Sequence, residues 1–142
     1  MSLEPPYSTI RSTVASALPT NCTIYDGAVP NDDLLPTTGG VVNPYVVFHA
    51  GEENTTHDAR AKGIVGVAHD PLEYDMIWEA VGPTADISRQ IFAKIKTALV
   101  GYKPTGSSEL HLERTQQFTT QKESTLPKTF HRVGMFTGNC NL

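Results

Sequence analysis

The clearest pattern in the chain lies in residues 74–101. Apolar and polar side chains alternate over residues 74–81, which is the period of a strand with one apolar face. Gly82 and Pro83 end this strand, and apolar residues then recur three and four positions apart, as in an amphipathic helix. The apolar helical positions are Ile87, Ile91, Phe92, Ile95, Ala98 and Leu99. A strand that leads directly into such a helix predicts a helix packed on a sheet.

The flanking residues set the limits of this helix. Thr84 is a residue type that caps helix starts, and Asp86 places a negative charge in the first turn. Gly101 suits the left-handed residue that follows many helices, and Pro104 forbids continuation. We therefore predict a helix over about residues 85–100.

Upstream, a second helix is predicted over about residues 5–18, because apolar residues recur on one helical face and Pro19 then stops it. Strands are predicted at about residues 22–25 and 44–50. Both faces of the latter are largely apolar, which is typical of a central strand covered on both sides.

Further strands are predicted at about residues 64–69, 109–113 and 129–136, the second as a solvent-facing edge strand. We expect the 64–69 segment to return as the hairpin partner of residues 44–50. Long polar connections are expected at residues 27–43, 51–62 and 114–128, with a mobile tail over residues 137–142 unless it docks on a partner. No segment divides the chain, so residues 1–142 are predicted to form a single domain.

Composition narrows the function classes. The chain has 142 residues, of which 39% are apolar and 18% charged, enough for one ordinary core. Its net charge of −4 argues against a surface that holds nucleic acid by neutralising phosphates, although DNA could pass an acidic wall without sticking. The sequence has neither a run of 18 apolar residues nor a basic and apolar leader, which predicts a cytosolic protein without a membrane span. Cys22 and Cys140 are expected to be free thiols.

The candidate chemistry is sparse. His49, His57 and His69 could converge if their strands were hairpin partners, but no two histidines have the spacing of a helical zinc site. No Gly-x-Ser-x-Gly elbow is present for an acyl nucleophile. We expect no catalytic residues, no metal and no cofactor, and three long loops suit a protein that works by making contacts.

The order of three motifs, IYDGAVP, PYVVFHAG and MIWEAVGPTADISRQIFAKIKTALVGYKP, resembles the small tail terminator (tail completion) proteins of long-tailed bacteriophages, especially phages of actinobacteria. In that family a Tyr-Asp-Gly turn ending in proline leads to a Pro-Tyr-Val-Val strand. An aromatic-centred strand then leads through glycine and threonine into a helix that ends Ala-Leu-x-Gly. The resemblance covers roughly residues 10–104.

This resemblance implies an α/β (α+β) fold with a mixed or mainly antiparallel sheet packed against two helices. It also implies a structural virion protein, not an enzyme: a homo-hexameric ring that caps the tail tube, stops its polymerisation and meets the head-side connector or stopper protein. DNA would pass through the lumen without sequence-specific binding. The expected location is the virion tail or neck, after assembly in the host bacterial cytoplasm.

Two alternatives remain open on sequence grounds. Other head-tail connector, stopper or minor capsid proteins share a small α/β body without catalytic groups, and a small ligand-binding domain or enzyme is the third possibility. For assembly contacts we predict exposed residues in the aperiodic loop, the hairpin tip and the tail. These residues are Asp32, Asp33, Leu34, Leu35, Glu52, Glu53, His57, Asp58, Arg60, Asn139 and Cys140.

Overall fold

The computed structural model describes residues 5–29, 35–55, 72–120 and 129–140. Within these ranges the chain forms two helices and seven strands. In chain order they are α1 (Tyr7–Ala17), β1 (Thr23–Asp26), β2 (Thr37–Thr38), β3 (Val41–Val42), β4 (Tyr45–Thr55), β5 (Leu72–Gly82), α2 (Ala85–Leu99), β6 (His111–Thr120) and β7 (Thr129–Cys140).

Five of these strands form one sheet in the order β1-β4-β5-β7-β6, and β2 pairs with β3 in a separate hairpin. β1 is parallel to β4, whereas the β4–β5, β5–β7 and β7–β6 pairs are antiparallel. Both helices pack on one face of the sheet, which we call the covered face. The predicted α+β class, with a mixed and mainly antiparallel sheet and two helices, is confirmed.

The alternation that predicts β5 corresponds to its two faces. Tyr74, Met76, Trp78 and Ala80 are fully buried beneath the helices, while Ile77 between them is 37% exposed on the other side. β5 is the centre of the sheet, with β4 on one side and β7 on the other. The strand with the strongest apolar alternation therefore occupies the position where burial is greatest.

The α2 helix begins and ends where its sequence predicts. The Thr84 hydroxyl accepts a hydrogen bond from the Ile87 backbone N–H at 3.2 Å, which satisfies one of the free donors of the first turn. Gly101 has φ of 81°, a conformation that costs glycine little. Ile91, Phe92, Ile95 and Leu99 are buried against the sheet.

The α1 helix completes the covered face. Its Ile10 and Val14 are fully buried in the same core cluster as Phe48, Trp78 and Phe136. At its start, the Tyr7 hydroxyl donates a hydrogen bond to the Asp75 carbonyl oxygen at 3.2 Å, and the Tyr7 ring meets the Phe48 ring edge to face at 5.6 Å. This aromatic contact joins the helix layer to β4 and β5.

Part of the predicted hairpin is wrong. β4 continues to Thr55, so the polar tip does not begin at Gly51. Its neighbours over residues 45–48 are β1 on one side and β5 on the other, which leaves no place there for the 64–69 segment. The 64–69 strand itself lies outside the described residues. The error arises because residues 49–55 are largely polar, although backbone pairing with β5 keeps them extended.

The C-terminal strands are also longer than predicted. β6 begins at His111 and runs through residues 114–120, where the sequence predicts a polar loop. β7 reaches Cys140, so residues 137–140 are not a mobile tail, because they pair with β5 over Leu72–Asp75. Residues 114–120 of β6 show no apolar alternation that would predict a strand. They are extended because they pair with β7, a contact between segments that the local sequence does not indicate.

The aperiodic segment 27–43 contains order that its sequence does not indicate. Thr37–Thr38 and Val41–Val42 form a tight hairpin whose turn residues Gly39 and Gly40 have φ of 62° and 79°. Leu35 and Val42 from this region are buried with Tyr45, Val47 and Val81 in a second apolar cluster. The hairpin therefore covers one end of the sheet face opposite the helices.

Candidate assembly surfaces

We call the sheet face opposite the helices the open face. Among the described residues, the β2–β3 hairpin covers only part of it. Beyond Val47 and Val81, the central strands present Ile77, Val133 and Met135, which form the open-face patch. Ile77 is 37% exposed. The patch lines a depression of about 250 Å³ together with residues 114–116 of β6, of which Arg114 and Gln116 lie on this face by register. An apolar area rimmed by polar side chains is a common form of protein interaction site.

A buried polar pair borders this patch. His131 Nδ1 lies 2.6 Å from Glu79 Oε1, and its Nε2 lies 2.9 Å from the Thr129 hydroxyl. The side chains of His131 and Glu79 are only 9% and 19% exposed. The sequence does not single out His131, because the last strand has no clean face. Only the β5–β7 register brings it next to Glu79.

The sheet also has two accessible edges. At one end lies β6, whose side chains from Glu113 to Gln117 are all exposed. At the other end β1 covers only residues 45–48 of β4. Residues 49–55 of β4, which we call the outer half of β4, pair with β5 on one side, with a register shift between Ala50 and Glu53, and with no described strand on the other. Unpaired strand edges present backbone donors and acceptors to other chains.

On the covered face, the outer side of the helix layer has a groove of about 610 Å³ between α1 and α2. Its wall consists of small or polar side chains. The residues are Ala17, Gln90, Ala93, Lys94, Thr97 and Ala98. These side chains combine no nucleophile with a base and gather no metal ligands.

Burial makes two potentially reactive side chains, Cys22 and Tyr74, harder to deprotonate. No group of three His, Cys, Asp or Glu side chains that could hold a metal ion occurs among the described residues. Cys22 and Cys140 are not joined in a disulfide, and burial raises the pKa of Cys22 to about 11, which suppresses the thiolate. Burial also raises the pKa of Tyr74, opposed by the hydrogen bond with Ser107 at 2.5 Å. Among the described helices, none has the length and apolar character needed to cross a bilayer.

The residues predicted for assembly do not form one cluster. Asp32, Asp33 and Leu34 and the tip residues His57, Asp58 and Arg60 lie outside the described residues. Glu52 and Glu53 lie in the outer half of β4. Leu35 is buried under the hairpin, and Cys140 is 2% exposed in the main core, so neither side chain contributes to the outer surface.

The predicted tail residue Asn139 is held in place by the chain itself. Its backbone N–H donates to the Ser108 hydroxyl at 2.9 Å, and its carbonyl accepts from the Ser108 N–H at 2.7 Å. This pairing, together with a bridge between Ser107 and Cys140, fastens the end of β7 to the loop after α2. An ordered segment is thus found where the sequence suggests a free tail.

Comparisons with known proteins identify the fold. No protein-family model matches the chain, and neither does any curated protein. Among solved structures, the chain is similar to a protein in the virion of a native gene transfer agent (GTA) particle, with a TM-score of 0.54 and 17% sequence identity. The similarity covers 96% of this chain and 91% of that one. The whole described fold is therefore shared with a component of that particle, at a sequence identity that shows the fold alone.

Proposed function

We propose that this protein is a structural component of a phage-like virion. The observation that carries the proposal is the fold shared with a chain of a gene transfer agent virion over nearly the full length of both chains. The motif order in residues 10–104, which resembles phage tail terminators, supports the same class independently. We also propose a non-enzymatic role, since the raised pKa of Cys22 makes that thiol a poor nucleophile.

Within that class we propose the tail terminator function. The protein would form a homo-hexameric ring on the last ring of the tail tube, stop tube polymerisation and contact the head-side connector or stopper. The accessible edges and open-face patch give each subunit dissimilar surfaces, which suits a closed heterologous ring. DNA would pass through the lumen of the ring. Because the chain has a net charge of −4, we expect it to bind the DNA phosphates only weakly.

The test is to purify the protein and measure its mass by light scattering after size exclusion, alone and with tail-tube subunits. The expected result is a monomer or a hexamer that joins tube protein, together with shorter tubes in electron micrographs as the molar ratio of this protein rises. Binding to portal or adaptor protein with no effect on tube length would replace the terminator role by the connector role. A stable monomer that ignores all these proteins would overturn the virion assignment.

A further inference from the structure

We propose that the exposed edge of β6 pairs with the outer half of β4 in a second copy of the chain, so that the sheet continues from subunit to subunit. This inference rests on the proposed ring and names the surfaces that would build it. The partner is therefore this chain itself, joined through backbone hydrogen bonds between strands.

The first support is that β6 lacks the usual protection of an edge strand. Natural edges are kept short or carry Lys, Pro or inward-pointing charges that prevent pairing. β6 spans 10 residues, and beyond Arg114 its residues 115–120 contain no charge, no proline and no glycine. Its one irregularity, the register shift between Leu112 and Arg114, lies near the opposite end. Most of the edge is thus a regular strand available to a partner.

The second support is the matching edge on the other side of the sheet. β1 is only four residues long and leaves the outer half of β4 without a described neighbour on that side. A strand that docks there would lie in line with β1. It would lie beside a strand that β5 pairs at residues 49–50 and 53–55, with a register shift between Ala50 and Glu53. Both edges are already extended as strands within a single chain, which lowers the entropic cost of association.

Strand direction also agrees. The steps from β4 to β5, from β5 to β7 and from β7 to β6 are all antiparallel, so β6 runs opposite to β4. When two copies stand side by side with the same face outward, β6 of one copy meets β4 of the next in antiparallel orientation. This is the more stable pairing mode and the predominant one within the chain.

The two edges also differ in their residues. β6 carries Glu113 and Arg114, and Glu113 accepts a hydrogen bond from the Thr137 hydroxyl of its own subunit at 2.9 Å. Because the two edges differ, the contact is heterologous and can repeat around a closed ring.

Cysteine cross-linking tests this pairing through the two faces of the sheet. Ala50 is in register with Met76 and lies on the covered face, as do Thr115 and Gln117, which are in register with Gly134 and Arg132. Arg114 and Gln116 lie on the open face. Four variants are made in a Cys22→Ser background. Each carries Ala50→Cys and, in the same chain, one of Thr115→Cys, Gln117→Cys, Arg114→Cys or Gln116→Cys.

We expect mild oxidation of the assembled protein, with tube protein present if the chain alone is monomeric, to give ladders of linked chains on denaturing gels. Ladders should form with the Thr115→Cys and Gln117→Cys variants. They should be about tenfold weaker with the two open-face variants, because a disulfide needs its two Cβ atoms close together on one side of the sheet. Circular dichroism and the melting temperature of each reduced variant show whether it is folded.

Three results would overturn the inference. An oligomer that gives no ladder with any pair would mean that other surfaces join the subunits, while the terminator proposal would stand. Equal ladders from both faces would indicate random collision instead of a strand pair. A protein that stays monomeric with tube protein present would overturn both this pairing and the proposed ring.

Discussion

The two faces of the sheet differ in how completely they are filled. On the covered face, α1 and α2 bury every inward side chain of β5 from Tyr74 to Ala80. On the open face, the β2–β3 hairpin reaches only as far as Tyr45, Val47 and Val81, and Ile77 remains partly exposed. The covered face contains the main core, whereas the open face retains apolar surface that no described residue covers. Stability and assembly can therefore be altered separately by mutation.

Neighbouring residues on β5 provide the strongest contrast between the faces. Met76→Ala removes a fully buried side chain, and we expect a loss of about 2–5 kcal/mol in the free energy of unfolding. Ile77→Ala removes a side chain that is 37% exposed, and we expect a loss of about 1 kcal/mol or less. Urea unfolding of both variants at low protein concentration measures the difference. Equal losses would show that the open face is covered in the isolated subunit.

A smaller effect is expected from filling space on the covered face. A Cβ atom at Gly134 would overlap the Phe92 ring, so Gly134→Ala should cost about 1–3 kcal/mol. Phe92→Leu in the same chain should recover part of this loss, because a smaller side chain leaves room for the methyl group. A double-mutant cycle from thermal unfolding checks this coupling. Strict additivity of the two losses would show that the α2 helix shifts away from β7 without strain.

The smallest expected effect concerns the polar pair on the open face. Glu79→Ala removes the carboxylate that lies 2.6 Å from His131 Nδ1 and leaves a mostly buried ring nitrogen without that partner. We expect a loss of about 1–2 kcal/mol. Glu73→Ala is the matched control, since Glu73 lies on the same strand and face but is exposed, and its effect should stay within about 0.5 kcal/mol. If the two variants are equally stable, the hydrogen bond between Glu79 and His131 does not contribute to the free energy of unfolding.

The sequence predicts best the elements whose signal is local. The strand predicted over residues 74–81 lies within β5, which spans Leu72–Gly82, and the predicted helix matches α2. Both signals, burial on one face and the Thr84 cap, come from neighbouring positions in the sequence. Of the three motifs that carry the family resemblance, one spans β5 and α2, and the other two begin at β1 and just before β4. Tyr25 and Asp26 end β1 in register with Val47 and Phe48, and the Gly27 N–H donates to the Phe48 carbonyl at 2.8 Å. These motifs therefore indicate the fold of the subunit more directly than its contacts with other proteins.

The elements that the sequence does not predict depend on partners far away in the chain. β6 is extended because β7 pairs with it, and the tail is ordered because β5 and Ser108 hold it. Hydrophobic periodicity does not predict hydrogen bonds between residues that are far apart in the chain. The same limit applies to the assembly surfaces: Leu35 and Cys140 belong to segments that look loose in the sequence, and both are buried.

The order of strands in space has a consequence for the timing of folding. β7 follows β6 in the chain, yet it lies between β5 and β6 in the sheet. Until β7 has been synthesised and inserted, β6 lacks the one described strand that pairs with it. We expect pulsed hydrogen exchange during refolding to protect β6 amides no earlier than those of β7. The β6 edge, which we assign to subunit contact, would then form only in a completely synthesised subunit. Incomplete chains would lack this edge and could not polymerise through it.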